Sequence, residues 1–438
     1  MCPRSPAGPR AGAILAAVPT PPSPAAAGPA RLRDVPWRAL DGLGPALDGP
    51  LADVLAGAPA ERVLDRFLRA HRALGSAARA AVAEAVFGVG LWRRRLRVSV
   101  GHEAASPRVL LAALARDLGG LQDACAVLGL APEALPAAPA PAATLADRWS
   151  LPGWLADALE EAAGPEAALL AAALAEPAPI ALRANLLRTT RDGLAARLAA
   201  EGIPAHPGRL APAALVLDAT RANLWGTEAW REGLFEVQDE GSQLVATVVG
   251  ARQGETVLDL CAGAGGKTLA LAADVGPSGT VHAADPDPER LARLAVRAKR
   301  AGAGNVRIHG AAPPDGLAAD RVLVDAPCSE LGVLRRGPDL RWRLDPAAFA
   351  ELPPLQRAIL DRAARHVRPG GRLVYATCTM RRAENEDVAL AFEAGHRELS
   401  RVAPGPGAPL VGADRFLRTL PHRDGADGFF AAVWERRG

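Results

Sequence analysis

Three stretches of this chain hold residue types suited to nucleoside or thiol chemistry. The first, Val257-Leu-Asp-Leu-Cys-Ala-Gly-Ala-Gly-Gly-Lys-Thr268, is an apolar run followed by a glycine-rich turn. Glycines let a backbone approach a ligand closely, and a helix starting there favours negative charge at its N-terminus. A phosphate-cradling loop needs Gly-x4-Gly-Lys-Thr, but Cys261 stands where the first glycine belongs. A dinucleotide fingerprint needs Gly-x-Gly-x-x-Gly, and its third glycine position is Thr268. Two readings remain: an ordinary tight strand–helix connection, or a loop wrapping the methionine end of S-adenosylmethionine. In the second, Asp285 beyond the next strand is placed to accept the ribose hydroxyls.

The other two stretches are Asp325-Ala-Pro-Cys-Ser329 and Tyr375-Ala-Thr-Cys-Thr379, each with a cysteine just past an apolar run. A thiolate is a strong nucleophile where its surroundings lower its pKa. A single cysteine is usually a small buried hydrophobe. Two at matching strand ends, beside a nucleoside-type loop, point to chemistry instead. Cys261, Cys328 and Cys378 lie in these loops; Cys2 and Cys125 lie away from them.

The elements that position these residues follow an alternating pattern from about residue 251 onward. The spacing predicts strands at Thr256–Leu260, Thr280–Ala284, Val306–His309, Arg321–Asp325, Arg372–Ala376 and Phe429–Trp434. Helices are expected at Lys267–Ala273, Pro288–Arg300 and Pro354–Val367, the last before a Gly370-Gly371 turn. This is the pattern of an α/β, doubly wound Rossmann-like domain, whose ligands sit beyond the carboxyl ends of the strands. Residues 1–35 are Pro/Ala-rich and read as disordered, and 36–130 as a small all-helical domain. Residues 131–143 read as a stiff linker, 144–250 as a small α+β unit, and 251–438 as the Rossmann-like domain.

With 438 residues, 49% hydrophobic and 23% charged, wholesale disorder and a fibre are excluded. No clean twenty-residue apolar span predicts a membrane helix, and no signal peptide is evident. Five cysteines without a Cys-x-x-Cys pair argue against a disulfide framework or a structural zinc site, so no metal is expected and the cytoplasm is the expected compartment. A monomer is expected. Only Lys267 and Lys299 are lysines among 51 basic residues, which draws attention to the lysine kept in the glycine loop. The net charge of +3 divides into +5 over residues 1–150 (17 Arg against 12 acidic) and −2 over the rest (34 basic against 36 acidic). Its densest basic stretch, Trp92-Arg-Arg-Arg-Leu-Arg97, suits either a solvated helix end or a phosphate-backbone contact, the former being commoner.

Taken together, the motifs resemble the Sun-type RNA (cytosine-5) methyltransferase family. The residues that carry the resemblance are Cys261–Thr268, Asp325-Ala-Pro-Cys-Ser-Glu-Leu-Gly332 and Leu373-Val-Tyr-Ala-Thr-Cys-Thr379. Further matches are Val237-Gln-Asp-Glu-Gly-Ser-Gln243, Leu355-Gln-Arg-Ala-Ile-Leu360 and Asp427-Gly-Phe-Phe430. It covers about 180 to 438, while the helical region is more diffusely similar to the NusB-like domain of the family's small-subunit ribosomal RNA members. The resemblance implies S-adenosylmethionine as cofactor, held by Cys261, Ala262, Gly263, Ala264, Gly265, Gly266 and Lys267, with Asp285 and Asp325. It implies RNA as partner, with ribosomal RNA favoured over transfer RNA. By the same resemblance Cys378 is the nucleophile at cytosine carbon 6, and Cys328 aids product release. Asp325 would bond the N3 edge of the ring, and Lys267 would order the crevice. The departures are Gly263-Ala264 in place of the family's Ala-Pro, and His309-Gly-Ala-Ala312 without the usual acid, leaving Asp315 as the nearest stand-in. Arg335, Arg336, Arg341 and Arg343 around Trp342 suit RNA phosphate contact and base stacking.

Overall fold

The computed structural model describes residues 29–101, 105–136, 144–218, 222–337, 339–405 and 410–438. The stretch 1–28, most of the segment read as disordered, lies outside these residues, as does 137–143 of the linker. The chain is described from Pro29, and Leu32 is fully buried in the helical core, so the ordered part starts ahead of the boundary expected at 35.

The N-terminal bundle is organised around the helix Ser76–Val100, whose Val82, Ala85, Val86, Val89 and Trp92 are all fully buried. They recur every three or four residues, which puts them on one stripe. Ser106 caps the next helix, Pro107–Ala113, by accepting from Val109 N–H at 3.4 Å. Three further helices, Leu145–Trp149, Gly153–Ala163 and Ala167–Ala175, pack into this same core. These three helices, within the segment read as the α+β unit, thus share the bundle's core. The helix Ala167–Ala175 is apolar on every side, so its sequence does not say which neighbour it faces.

A four-stranded sheet follows, built from β1 (Ala181–Ala184), β2 (Ala205–Pro207), β3 (Ala214–Leu217) and β4 (Phe235–Val237) in the order β2-β3-β1-β4. The helix Glu240–Val249 packs instead into the next unit, with Leu244, Val245, Val248 and Val249 in its core.

That unit is an eight-stranded sheet: β5 (Thr256–Asp259), β6 (Thr280–Ala284), β7 (Val306–His309), β8 (Ala319–Asp325), β9 (Val367–Thr377), β10 (Leu399–Val402), β11 (Leu417–Thr419) and β12 (Phe429–Arg436). Its order is β10-β12-β9-β8-β5-β6-β7, with β11 beside β12. Strands β5 to β9 run parallel, and β12 is antiparallel to β9. Two cores, one on each face, sandwich the sheet, as a doubly wound Rossmann-like fold requires. Strand β9 runs through Gly370-Gly371, read from sequence as a turn. A register shift between Ala319 and Arg321 absorbs the irregularity, and a side chain at Gly371 would meet the Ala319 and Asp320 carbonyls at 3.1 Å.

Candidate active site

Register decides which residues meet. In the parallel pair β8–β9, Val324 lies opposite Tyr375 and Asp325 opposite Ala376. Each chain leaves its strand within a few residues, so the segments 326–329 and 377–379 emerge side by side. Cys328 Sγ and Cys378 Sγ are 3.4 Å apart, both half-buried. Gly332 N–H donates to the Cys378 carbonyl at 2.9 Å, and Gly428 N–H to the Gly332 carbonyl at 2.9 Å. A Cβ on Gly332 would sit 2.0 Å from Gly428 O and 2.8 Å from Cys378 O, so only glycine permits this approach.

Beneath the thiols lies a buried polar network. Glu384, with no exposed surface, accepts from Ser329 N (3.0 Å), Ser329 Oγ (2.5 Å), Gln356 Nε2 (3.0 Å) and Arg381 Nη1 (3.0 Å). Ser329 Oγ lies 2.8 Å from Thr379 Oγ1, and Gln356 also donates to the Pro327 carbonyl at 2.9 Å. The residues immediately after the two cysteines are thus tied to one carboxylate.

The glycine loop faces this pair across the strand ends. Gly263 and Gly265 have φ of +53° and +87°, and a Cβ on Gly265 would strike Leu294 at 2.1 Å. Open space lies where a Gly263 side chain would project. Gly263 N–H donates to Asp285 at 2.9 Å, and the buried Arg183 of β1 donates to the Gly266 carbonyl, so the small sheet braces the loop. The Ala264 carbonyl accepts from Arg297 at 2.6 Å. Lys267 Nζ pairs with Asp325 Oδ2 at 2.6 Å and lies 5.2 Å from the centre of the Phe429 ring.

Asp259, at the end of β5, joins Asp285 and Asp325 in this cluster, with Lys267 as its nearby cation. Burial pushes its carboxyl up to about 7 against the Thr268 hydroxyl's hydrogen bond, and its Oδ1 is buried without a partner among the described residues. Asp285 and Asp325, with Asp259 only part-ionised near neutral pH, stand against the one ammonium of Lys267 as a floor suited to a cationic ligand such as a sulfonium. Cys261 packs at the edge of one sheet core, and burial followed by these carboxylates pushes its thiol up. Cys378 is raised well above the ordinary thiol value, first by its hydrogen bond with Cys328 and then by burial. Asp315 stands exposed before β8.

Of the four arginines around Trp342, Arg335 and Arg341 are buried, whereas Arg336 and Arg343 are exposed and ion-paired. Arg335 donates to Asp427 at 2.7 Å, and the more exposed Arg336 reaches both Asp427 and, at 2.8 Å, Asp239, so two arginines meet two buried carboxylates. Arg341 is fully buried and donates to the Leu174 carbonyl at 3.0 Å, while Arg343 pairs with Asp339 at 3.4 Å. These side chains fasten the loop to the bundle and to the C-terminal strand. The separation of a buried from an exposed arginine depends on distant carboxylates, which local composition does not reveal.

The model of the family described as 16S rRNA methyltransferase RsmB/F matches residues 246–435. The RsmF/B-like ferredoxin-like domain matches 151–222. The probable ribosomal RNA small subunit methyltransferase B of Bacillus subtilis is 36% identical over 314 residues, 68% of this chain and 69% of that protein. This chain belongs to the RsmB/F methyltransferase family. Other RsmB/F relatives include the probable small subunit methyltransferase B of Synechocystis sp., 36% identical over 66% of this chain and 67% of that protein. The ribosomal RNA small subunit methyltransferase B of Vibrio cholerae is 37% identical over 67% of each. Among solved structures, PH0851 superposes with a TM-score of 0.71 at 24% identity, over 92% of this chain and 98% of that one. NSun6 from Pyrococcus horikoshii with SFG gives 0.59 at 22%, over 66% and 98%. These two bear on the fold, that of S-adenosylmethionine-dependent methyltransferases.

Within this RsmB/F chain, Glu384 and Asp259 escaped sequence reading. Glu384 sits six residues past Cys378 with no period linking them, and Asp259 reads as one more residue of a strand. Gln356, Asp239 and Asp427 did fall inside the motifs that carried the resemblance, without a role attached to them.

Proposed function

We propose that the protein transfers a methyl group from S-adenosylmethionine to carbon 5 of a cytosine in small-subunit ribosomal RNA, through a covalent adduct with Cys378. The observation that carries this reading is the pair of thiols 3.4 Å apart at neighbouring strand ends. Carbon 5 of cytosine is a poor nucleophile. Addition of the Cys378 thiolate to carbon 6 makes carbon 5 enamine-like, with the Lys267–Asp325 pair passing a proton to ring N3 as it gains electron density. S-adenosylmethionine, when bound, supplies the electrophilic methyl. Cys328 as thiolate then takes the carbon-5 proton, the 5,6 double bond re-forms as the carbon 6–sulfur bond breaks and frees the Cys378 thiolate, and N3 returns its proton to the Lys267–Asp325 pair. The glycine loop 261–266, Asp285 and the acidic floor suit the cofactor: an open glycine face, backbone polar groups and net negative charge for a sulfonium.

The target base must leave its stack to reach both thiols, so a loop nucleotide is the expected substrate. The test uses unmethylated small-subunit ribosomal RNA carrying 5-fluorocytosine, whose carbon-5 fluorine cannot leave and so traps the adduct. Wild type is expected to form a covalent complex, and Cys378→Ala none. Cys328→Ala is expected to accumulate complexes on ordinary RNA. Trapping by Cys378→Ala but not Cys328→Ala would reverse the two roles. Methylation confined to transfer RNA would replace the substrate, and cofactor binding without an adduct on any RNA would refute the thiol mechanism.

A further inference from the structure

Arg335 and Arg341 are engaged inside the protein, and a pair of arginines without a carboxylate partner lies instead on the bundle's long helix. The basic stretch on the helix Ser76–Val100 divides into two pairs. Arg94 is tied to Asp147 at 2.8 Å, and Arg95 donates to the Arg148 carbonyl at 3.1 Å. Arg93 and Arg97, one turn apart on the same face, pair with no carboxylate among the described residues. The Arg93 guanidinium lies 4.1 Å from the centre of the Trp342 ring, and Arg97 Nε is without a hydrogen bond. With Arg94, Val98 and Asp147 they line an open cavity of about 600 Å³.

Like charges one helical turn apart repel. The helix dipole offsets this for Arg97 in the last turn, but its effect fades before Arg93. Burial, and then Arg97, lower the Arg93 pKa to about 10, the sign of a cation without a counter-charge. Trp342 belongs to the loop that follows Cys328, and Leu331, Leu334 and Phe349 of that loop complete the bundle's core. The cavity therefore sits where the bundle meets the segment leading from the thiols.

We infer that Arg93, Arg97 and Trp342 form a phosphate-binding subsite for the RNA substrate, outside the catalytic crevice. The inference rests on RNA being the substrate, as proposed above. Two guanidiniums in register take two neighbouring phosphodiesters, and the Trp342 ring holds Arg93 in place. The bundle thereby grips the strand whose flipped cytosine the thiols engage.

The test measures binding of full-length protein to a fluorescein-labelled small-subunit ribosomal RNA transcript between 50 and 200 mM salt, a range over which about six phosphate contacts are readily resolved. Each lost phosphate contact removes roughly 0.7–0.9 from the slope of log K against log salt. Arg93→Gln/Arg97→Gln is expected to lower that slope by about 1.5 and weaken binding roughly tenfold at the low-salt end. KM for RNA should rise while kcat and cofactor affinity hold, and Arg93→Lys/Arg97→Lys should restore most of the slope. Should the double variant fold poorly, Arg97→Gln alone carries half the slope change. An unchanged slope in a wild type that methylates RNA would overturn the subsite alone. Loss of kcat and cofactor binding together would make the arginines structural and overturn it too. A wild type that binds no RNA would refute the functional reading on which it rests.

Discussion

The carboxylate of Glu384 offers the sharpest test of how the two thiols are held. It has no exposed surface and takes four hydrogen bonds, two of them from Ser329, the residue after Cys328. In Glu384→Ala, Ser329 Oγ keeps Thr379 and Gln356 keeps the Pro327 carbonyl, so the group left buried without a partner is Ser329 N–H. An orphaned buried donor costs about 1–3 kcal/mol, and each lost bond to a charged acceptor about 1.5–3 kcal/mol. Because these terms overlap, the loss for Ala is taken as that of removing one partner of a buried ion pair, about 3–5 kcal/mol. Glu384→Gln keeps the shape but turns one acceptor into a donor facing donors, for about 1–3 kcal/mol. The functional effect should exceed the structural one. Shifting one cysteine loop by about 1 Å relative to the other costs roughly a hundredfold in rate. Thermal melts together with single-turnover methyl transfer give both quantities. Glu384→Gln is expected to melt only a few degrees lower, bind cofactor and RNA as before, and lose about two orders of magnitude in the chemical step. A variant with wild-type single-turnover rate would refute the claim that this carboxylate sets the thiol spacing.

Two further outcomes follow from raised pKa values. Asp259, near 7 in the folded protein, keeps a proton that the unfolded chain loses near pH 4, so this site's contribution to stability falls as pH rises from about 4 to about 7. Asp259→Asn should therefore gain stability that is absent near pH 4 and reaches up to about 4 kcal/mol above pH 7, and equal denaturant melts at pH 5 and 8 would contradict it. The hydrogen bond with Cys328 is the first cause of the raised Cys378 thiol, so Cys328→Ala should speed iodoacetamide alkylation of Cys378 at pH 7.5 and move its pH midpoint down. An unmoved midpoint would assign the shift to burial alone.

The parallel sheet was legible because its strands are short apolar runs followed closely by a glycine, a proline or a candidate site residue. The two cysteines could be placed at neighbouring strand ends for the same reason. Strand β10, Leu399-Ser-Arg-Val402, escaped because an edge strand half in water mixes polar and apolar residues. The side chains of Arg335 and Arg341 were misread because their partners, Asp427 and the Leu174 carbonyl, lie 92 and 167 positions away in sequence. A run of arginines looks the same whether it faces solvent or closes an interior. The loop from Cys328 is part interior and part surface, and two arginines without a carboxylate partner, Arg93 and Arg97, meet it from a helix some 240 residues earlier.

The way the bundle core is closed bears on how this chain can be divided. Leu331, Leu334 and Phe349 supply part of the apolar interior that the first 175 residues otherwise build, and Arg341 reaches the carbonyl of Leu174 from the same loop. A cut between the bundle and the small sheet leaves two fragments with complementary hydrophobic wounds, one of them beside the thiols. Neither half is a free-standing part. Coexpressed from separate genes, they should find each other and restore activity as a split enzyme, whereas each alone should precipitate.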